Sequence, residues 1–226
     1  MSICDNIKAL KTKIPNGVTL LAVSKTKSLE EMEEAYKVGM RDFGENKVQE
    51  LMNKEEHFHK DVRWHFIGNL QTNKVKYLVS KVYLIHSLSS IKLLKTIEKE
   101  FGKKDQIANV LIQINIGREE SKGGILEEEL EEIINSIEEC KFVKAKGLMT
   151  VIPKGNHESN RMYFKKMNNI FHELKNRKFK NITMDILSMG MTHDYEEAIE
   201  EGSTIVRVGE GIFGKRNYNL GGKENE

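Results

Sequence analysis

Eight short apolar runs recur along the 226-residue chain, each followed by a stretch of helical periodicity, and this alternation limits the fold more than any other feature. Val18–Val23 (VTLLAV) is almost continuously apolar, the mark of a strand covered on both faces. Further runs begin near residues 42, 64, 82, 108, 145, 183 and 205, a spacing of 18 to 38 residues from start to start, close to one strand–helix unit each. The intervening segments carry helix signals. Ser28-Leu-Glu-Glu31 reads as a capping box before Leu29, Met32 and Tyr36, with Gly39 as the stop. Ser90 opens a helix with Ile91, Leu94, Ile97 and Phe101 on one face, and Leu126–Glu139 carries an apolar stripe. Ser159 is expected to cap a long helix, and Asp194 with Glu197 a short one ending at Gly202.

No hairpin turn of the Asn-Gly type separates neighbouring strands, so the units read as parallel and the expected fold is α/β, a single (β/α)8 TIM barrel. The alternative is an open doubly wound sheet, which would normally carry a glycine-rich turn after its first strand; Ser24-Lys-Thr-Lys-Ser28 is not one. Ile3–Lys11 is expected to be an extra N-terminal helix standing where the helix after strand eight is missing. Residues 1–226 read as one domain, with 219–226 a flexible tail.

Composition removes several classes of function. With 36 basic against 34 acidic residues, no bulk field draws nucleic acid or an anionic membrane, and neither is an expected partner. The N-terminus has no continuous apolar core of a secretory signal, and the apolar runs fall far short of the ~20 residues that span a bilayer. The expected location is the cytoplasm. Cys4 and Cys140 stand singly and read as reduced structural thiols, a disulfide between them being the other option. His57 and His59 are the one close histidine pair and lack a nearby third ligand, so no metal is expected.

A barrel gathers its chemistry on the loops after the C-terminal strand ends, and closure sets strand eight beside strand one. Lys25 and Arg207 would then face one mouth although 182 positions part them. An amine there, partly desolvated and beside a guanidinium, would be held below the ordinary lysine value of about 10.4 and could form Schiff bases with aldehydes. A strand-end lysine can equally snorkel to solvent or pair with a carboxylate. Gly190, Gly209 and Gly211 permit backbone N–H groups to converge on an anion, and Thr192 adds a hydroxyl. Turns need glycine for other reasons too. Together these residues suggest an aldehyde that carries a phosphate.

Several segments, in order, resemble the YggS/PROSC family of pyridoxal 5′-phosphate (PLP) homeostasis proteins: LLAVSKTK (Leu20–Lys27), FGENKVQE (Phe43–Glu50), WHFIGNLQTNK (Trp64–Lys74), SKGGI (Ser121–Ile125), LSMGMTHD (Leu187–Asp194) and STIVRVGEGIFGKR (Ser203–Arg216). The resemblance implies a barrel like the N-terminal domain of alanine racemase with PLP bound covalently. By motif, Lys25 is the Schiff-base lysine. Ser188, Thr192 and the backbone of Gly209 and Glu210 are implied phosphate contacts, with Met191 beside them. Thr192 stands where many relatives have serine and keeps the hydroxyl. Arg207 is implied to donate to the pyridine nitrogen, and Asn46, His65 and Met149 to line the ring. Lys122 is either a holder of a second cofactor molecule or a solvated loop lysine.

An arginine at the ring nitrogen keeps it unprotonated and makes the cofactor a weak electron sink. Alanine racemase adds a tyrosine base from another domain, and no counterpart is visible in this sequence. The expected function is therefore a monomeric holder of PLP that keeps the free aldehyde low and delivers it to apo-enzymes. A small PLP-dependent amino-acid racemase is the alternative, and a cofactor-free Schiff-base aldolase a more distant one.

Overall fold

The computed structural model describes residues 2–215, and the tail expected at 219–226 lies outside them. Eight strands form a closed barrel in sequence order: β1 (Thr19–Val23), β2 (Asp42–Glu45), β3 (Arg63–Phe66), β4 (Leu84–Leu88), β5 (Ala108–Gln113), β6 (Val143–Met149), β7 (Ile182–Met191) and β8 (Ile205–Val208). Every neighbouring pair is parallel, and β8 returns to β1 with Leu21 opposite Arg207 and Ala22 opposite Val208. The expected barrel is present, and closure excludes the open sheet.

Around it run α1 (Ile3–Lys13), α2 (Leu29–Lys37), α3 (Val48–His57), α4 (Ile91–Gly102), α5 (Leu130–Glu138), α6 (His157–Lys175), α7 (Tyr195–Glu200) and α8 (Glu210–Phe213), with 3-10 turns at Thr72–Tyr77 and Glu127–Glu129. The Ser28 capping box forms as read: Ser28 Oγ accepts the Glu31 N–H at 3.3 Å, and the Glu31 carboxylate accepts the Ser28 N–H at 2.9 Å. α1 packs beside α2 and α8, and Asn6 Nδ2 donates to the Ile212 carbonyl at 2.9 Å, so the extra helix does cover the barrel next to its last strand. No helix among the described residues is long and apolar enough to cross a membrane.

Three local readings change. α6 begins at His157, because Asn156 takes the cap and accepts the Ser159 N–H at 2.9 Å. Asp194 occupies the cap position of α7 without capping it; its carboxylate instead accepts the Met191 N–H at 2.5 Å. β7 is longer than its apolar run implied and continues through Met191, so Ser188-Met-Gly-Met191 is strand rather than loop. The pairing of β7 with β8 shifts register between Ser188 and Met191.

Most apolar burial lies between the strands and the helices, where Phe43, Leu51, Leu94, Ile97 and Phe164 are closed from solvent. Inside the barrel a smaller cluster forms from Leu21, Leu84, Leu111, Met149 and Ile205. Gly147 marks the tightest strand contact. Its φ is +148°, and an added Cβ would lie 1.8 Å from the Ile186 carbonyl oxygen, at the register shift between β6 and β7. Gly147→Ala should therefore cost at least about 2 kcal/mol in urea unfolding. Wild-type stability in that variant would show that the strands are not in this contact.

Candidate functional site

β1 ends at Val23, and Ser24, Lys25 and Thr26 turn over the C-terminal rim of the barrel. Thr26 has φ +66°, a left-handed conformation that costs a residue with a Cβ roughly 1 kcal/mol. A buried charged cluster holds this turn from outside the strands. The Glu50 carboxylate accepts the Thr26 N–H at 2.5 Å. Lys54 Nζ donates to the Ser24 carbonyl, to Glu45 Oε1 and to Glu50 Oε1 at 2.8, 2.9 and 2.7 Å. Ser24 Oγ donates to Glu45 Oε1 at 2.6 Å. Burial pushes the Glu45 carboxyl up, and the Lys54 ammonium opposes that rise. Sequence reading missed this cluster. The FGENKVQE motif holds both carboxylates, and the i,i+4 spacing of Glu50 and Lys54 was its available signal.

Lys25 and Lys27 line a cavity of about 360 Å³ with Val23, Gly209, Glu210 and Gly214, a volume within the usual range for small-molecule sites. Gly209 is a close approach: a Cβ there would sit 3.3 Å from both Cβ and the carbonyl oxygen of Val23. Glycine thus lets the start of α8 lie against the end of β1. Beside it the Gly211 N–H donates to Thr192 Oγ1 at 3.3 Å, which leaves the threonine's own proton to donate elsewhere. Lys27 Nζ is held by Glu31 at 2.9 Å.

Arg207 lies deeper, buried inside the barrel. Its Nη2 donates to the Thr150 carbonyl at 2.8 Å and its Nη1 to Ser188 Oγ at 2.7 Å. Desolvation pulls its pKa down to about 10, so the guanidinium stays charged at neutral pH. The half-buried Asp194 faces it electrostatically; burial raises that carboxyl and the Arg207 charge draws it back.

The remaining sequence-predicted residues divide. Asn46 follows β2 at the rim, and its Oδ1 is buried without a hydrogen-bond partner among the described residues. Met149 is buried in the interior cluster, and Met191 is partly exposed at the end of β7. Ser188, expected at the phosphate, is fully buried inside the barrel, where its Oγ meets Arg207 and His86, and it does not line the Lys25 cavity. His65, expected to line the ring, does not line the Lys25 cavity. Its Nδ1 meets His86 Nε2 at 2.9 Å and its Nε2 meets Asp42 Oδ1 at 3.0 Å, and it lines a small cavity with Thr19, Asp42 and Arg63 at the strands' N-terminal ends. Gly190 faces α7, where a Cβ would lie 2.5 Å from that of Ala198, so glycine is required there by helix packing. Lys122 sits on a different loop, 3.9 Å from Glu119. The described residues contain no group of three metal-binding side chains, and both cysteines are free thiols.

These residues fit a phosphorylated aromatic aldehyde. An amine and a glycine-opened turn share one cavity, a charged guanidinium lies below the same rim, and the buried Asn46 oxygen lacks a donor. A barrel of this kind is the frame of the alanine racemase N-terminal domain, and that family's model matches residues 2–217. A protein of Aquifex aeolicus named pyridoxal phosphate homeostasis protein is 47% identical over 205 residues, covering 90% of this chain and 89% of that one. The structure of PipY from Synechococcus elongatus solved without PLP is 30% identical, with a TM-score of 0.89 over 94% of this chain and 100% of the other. The PLP-bound PipY structure is 29% identical, with a TM-score of 0.86 and the same coverage. The chain belongs to the pyridoxal phosphate homeostasis protein family.

The two buried histidines make the site's acid response testable. Burial lowers the pKa of both, His86 well below its ordinary 6.5, while Asp42 partly offsets the effect at His65. Below pH 6.5 the unfolded chain binds protons that the folded one refuses, so stability is complete above that pH and falls as pH drops through it. The slope is up to about 1.4 kcal/mol per pH unit for each histidine. Urea unfolding should show stability falling as pH drops from 6.5 to 5.5, and the fall should shrink in His86→Gln. A flat profile in the wild type would contradict two neutral buried rings.

Proposed function

We propose that this chain binds pyridoxal 5′-phosphate as a Schiff base on Lys25, and that it is a holder of the cofactor, keeping the free aldehyde low and releasing it to apo-enzymes. The observation that carries the reading is the cavity shared by Lys25 and the Gly209–Glu210 turn, with Arg207 below the same rim. When bound, the cofactor supplies an electrophilic aldehyde and a ring able to accept electron density. Thr192, the Gly209–Glu210 backbone and the charge of Lys27 would take the phosphate. Asn46, Met149 and Met191 would border the ring. Arg207 would donate to the ring nitrogen, and a guanidinium does not give up its proton there. The ring then remains a weak electron sink, which suits storage better than carbanion chemistry. The names of the Aquifex protein and of the PLP-bound PipY structure agree with this reading.

Wild-type protein incubated with PLP should gain a visible Schiff-base band, and borohydride should fix one cofactor mass on the peptide containing Lys25. Lys25→Ala should lose both. A reducible adduct at full stoichiometry in Lys25→Ala would remove Lys25 from the role. The holder assignment is checked separately: L-amino acids incubated with the loaded protein in heavy water should gain no more Cα deuterium than with free PLP. Exchange well above that background would make the protein a catalyst.

A further inference from the structure

Five polar side chains cross the barrel interior in single file, from β8 at the mouth to β2 at the floor. Arg207 Nη1 lies 2.7 Å from Ser188 Oγ, and Ser188 Oγ lies 3.0 Å from His86 Nδ1. His86 Nε2 lies 2.9 Å from His65 Nδ1, and His65 Nε2 lies 3.0 Å from Asp42 Oδ1. All five residues are buried. Such a file is costly unless every member is satisfied, because an unmade hydrogen bond in this setting costs about 1–3 kcal/mol.

The two ends fix the direction of every bond between them. A guanidinium only donates and an ionised carboxylate only accepts. Burial by itself would raise the Asp42 carboxyl, but hydrogen bonds from Arg63 and His65 outweigh it and hold the group at about 2. Asp42 is therefore ionised at neutral pH, and His65 must carry its proton on Nε2. In a neutral ring the His65 Nδ1 is then an acceptor, so His86 must donate from its own Nε2. His86 Nδ1 accepts the Ser188 hydroxyl proton, and the serine oxygen accepts from Arg207. With both rings neutral, no other arrangement satisfies both ends. Other charged or titratable groups near the file, among the described residues, are Arg63, paired with Asp42, Tyr83 beside the His65 ring, Asp185 on the same small cavity as His65, and Asp194 facing Arg207.

We propose that Ser188, His86 and His65 are positioning residues for Arg207: the one-way file ties the guanidinium to the Asp42 carboxylate across the barrel and holds it where the ring nitrogen of the cofactor is to be met. The assignment rests on the reading that Arg207 serves the cofactor. It gives Ser188 a role in place of the phosphate contact expected for it. It also explains why two histidines and a serine, rather than branched aliphatics, fill this part of the interior. The Thr150 carbonyl fixes a second guanidinium nitrogen, so two of the five N–H donors of Arg207 are committed before any ligand binds.

The test has two arms. In cofactor-free protein labelled with 15N-histidine, long-range proton–nitrogen NMR at pH 7.5 should show both His65 and His86 neutral and protonated on Nε2. A ring protonated on Nδ1, or on both nitrogens, would overturn the file. In the second arm, PLP affinity is measured by absorbance titration. Ser188→Ala and His86→Leu should each weaken it about tenfold, the scale of one lost hydrogen bond to a charged group. Because they are links in one series, the double variant should be no weaker than the poorer single, and Ser188→Thr should restore most of the loss. Losses that multiply in the double variant would mean that the residues act separately and would overturn the proposal. Arg207→Met separates the two readings. If it leaves affinity unchanged, the assignment of Arg207 to the cofactor fails and the positioning role falls with it. If it weakens affinity while Ser188→Ala and His86→Leu do not, the positioning role alone fails.

Discussion

The parallel pairing of β8 with β1 is the contact on which the site depends. It sets Leu21 opposite Arg207 and Ala22 opposite Val208, so the turn that carries Lys25 and the turn that begins α8 leave the barrel side by side. Every pairing from β1 to β8 lies upstream of that contact, since closure requires each strand to be in register with the next. A slip of one residue would exchange inward and outward faces and send Arg207 into the helix layer. The amine and the guanidinium belong to distant parts of the sequence. Only the closed cylinder sets the strands that carry them side by side.

Two anchoring systems of different kinds then hold the lysine turn and the arginine. The lysine turn is fixed from the outer side of the strands by Lys54, Glu45 and Glu50, which together satisfy the Ser24 carbonyl and the Thr26 N–H and so support a left-handed threonine. The arginine is fixed from within, by the Thr150 carbonyl and by the file of Ser188, His86, His65 and Asp42. Part of the barrel interior is accordingly polar, next to the apolar cluster of Leu21, Leu84, Leu111, Met149 and Ile205. Polar filling of a core adds little net stability. What the file provides is a defined set of donors and acceptors, and hence one orientation for Arg207.

The fold was legible because parallel strands covered on both faces read as apolar runs, and because caps such as Ser28 with Glu31 act within four residues. Closure was legible too, and with it the placing of β8 beside β1, while the roles of Lys25 and Arg207 came from the resemblance and stand as a proposal. The interior file was not legible. His86 sits in the apolar run VYLIHSL and His65 in WHFI, and nothing local in either segment says that the two rings meet. The end of β7 was not legible either, because apolar content places it at Ser188, whereas the pairings with β6 and β8, each with a register shift, carry the strand past Gly190. Asp194 looked like a helix cap by spacing, yet its carboxylate closes the preceding turn onto Met191. For the histidines and β7 a long-range contact outweighed a local preference, and for Asp194 one local contact replaced another.

In the proposed function, one mouth of the barrel brings the Lys25 amine and the Arg207 guanidinium to the same molecule. A crystal structure of the protein grown with pyridoxal 5′-phosphate tests it most directly. The expected result is continuous density from Lys25 Nζ to the cofactor, the ring nitrogen within hydrogen-bond distance of the Arg207 guanidinium, and the phosphate against Thr192 and the Gly209–Glu210 turn. A cofactor seated elsewhere, or joined to Lys25 with its ring nitrogen turned away from Arg207, would contradict it.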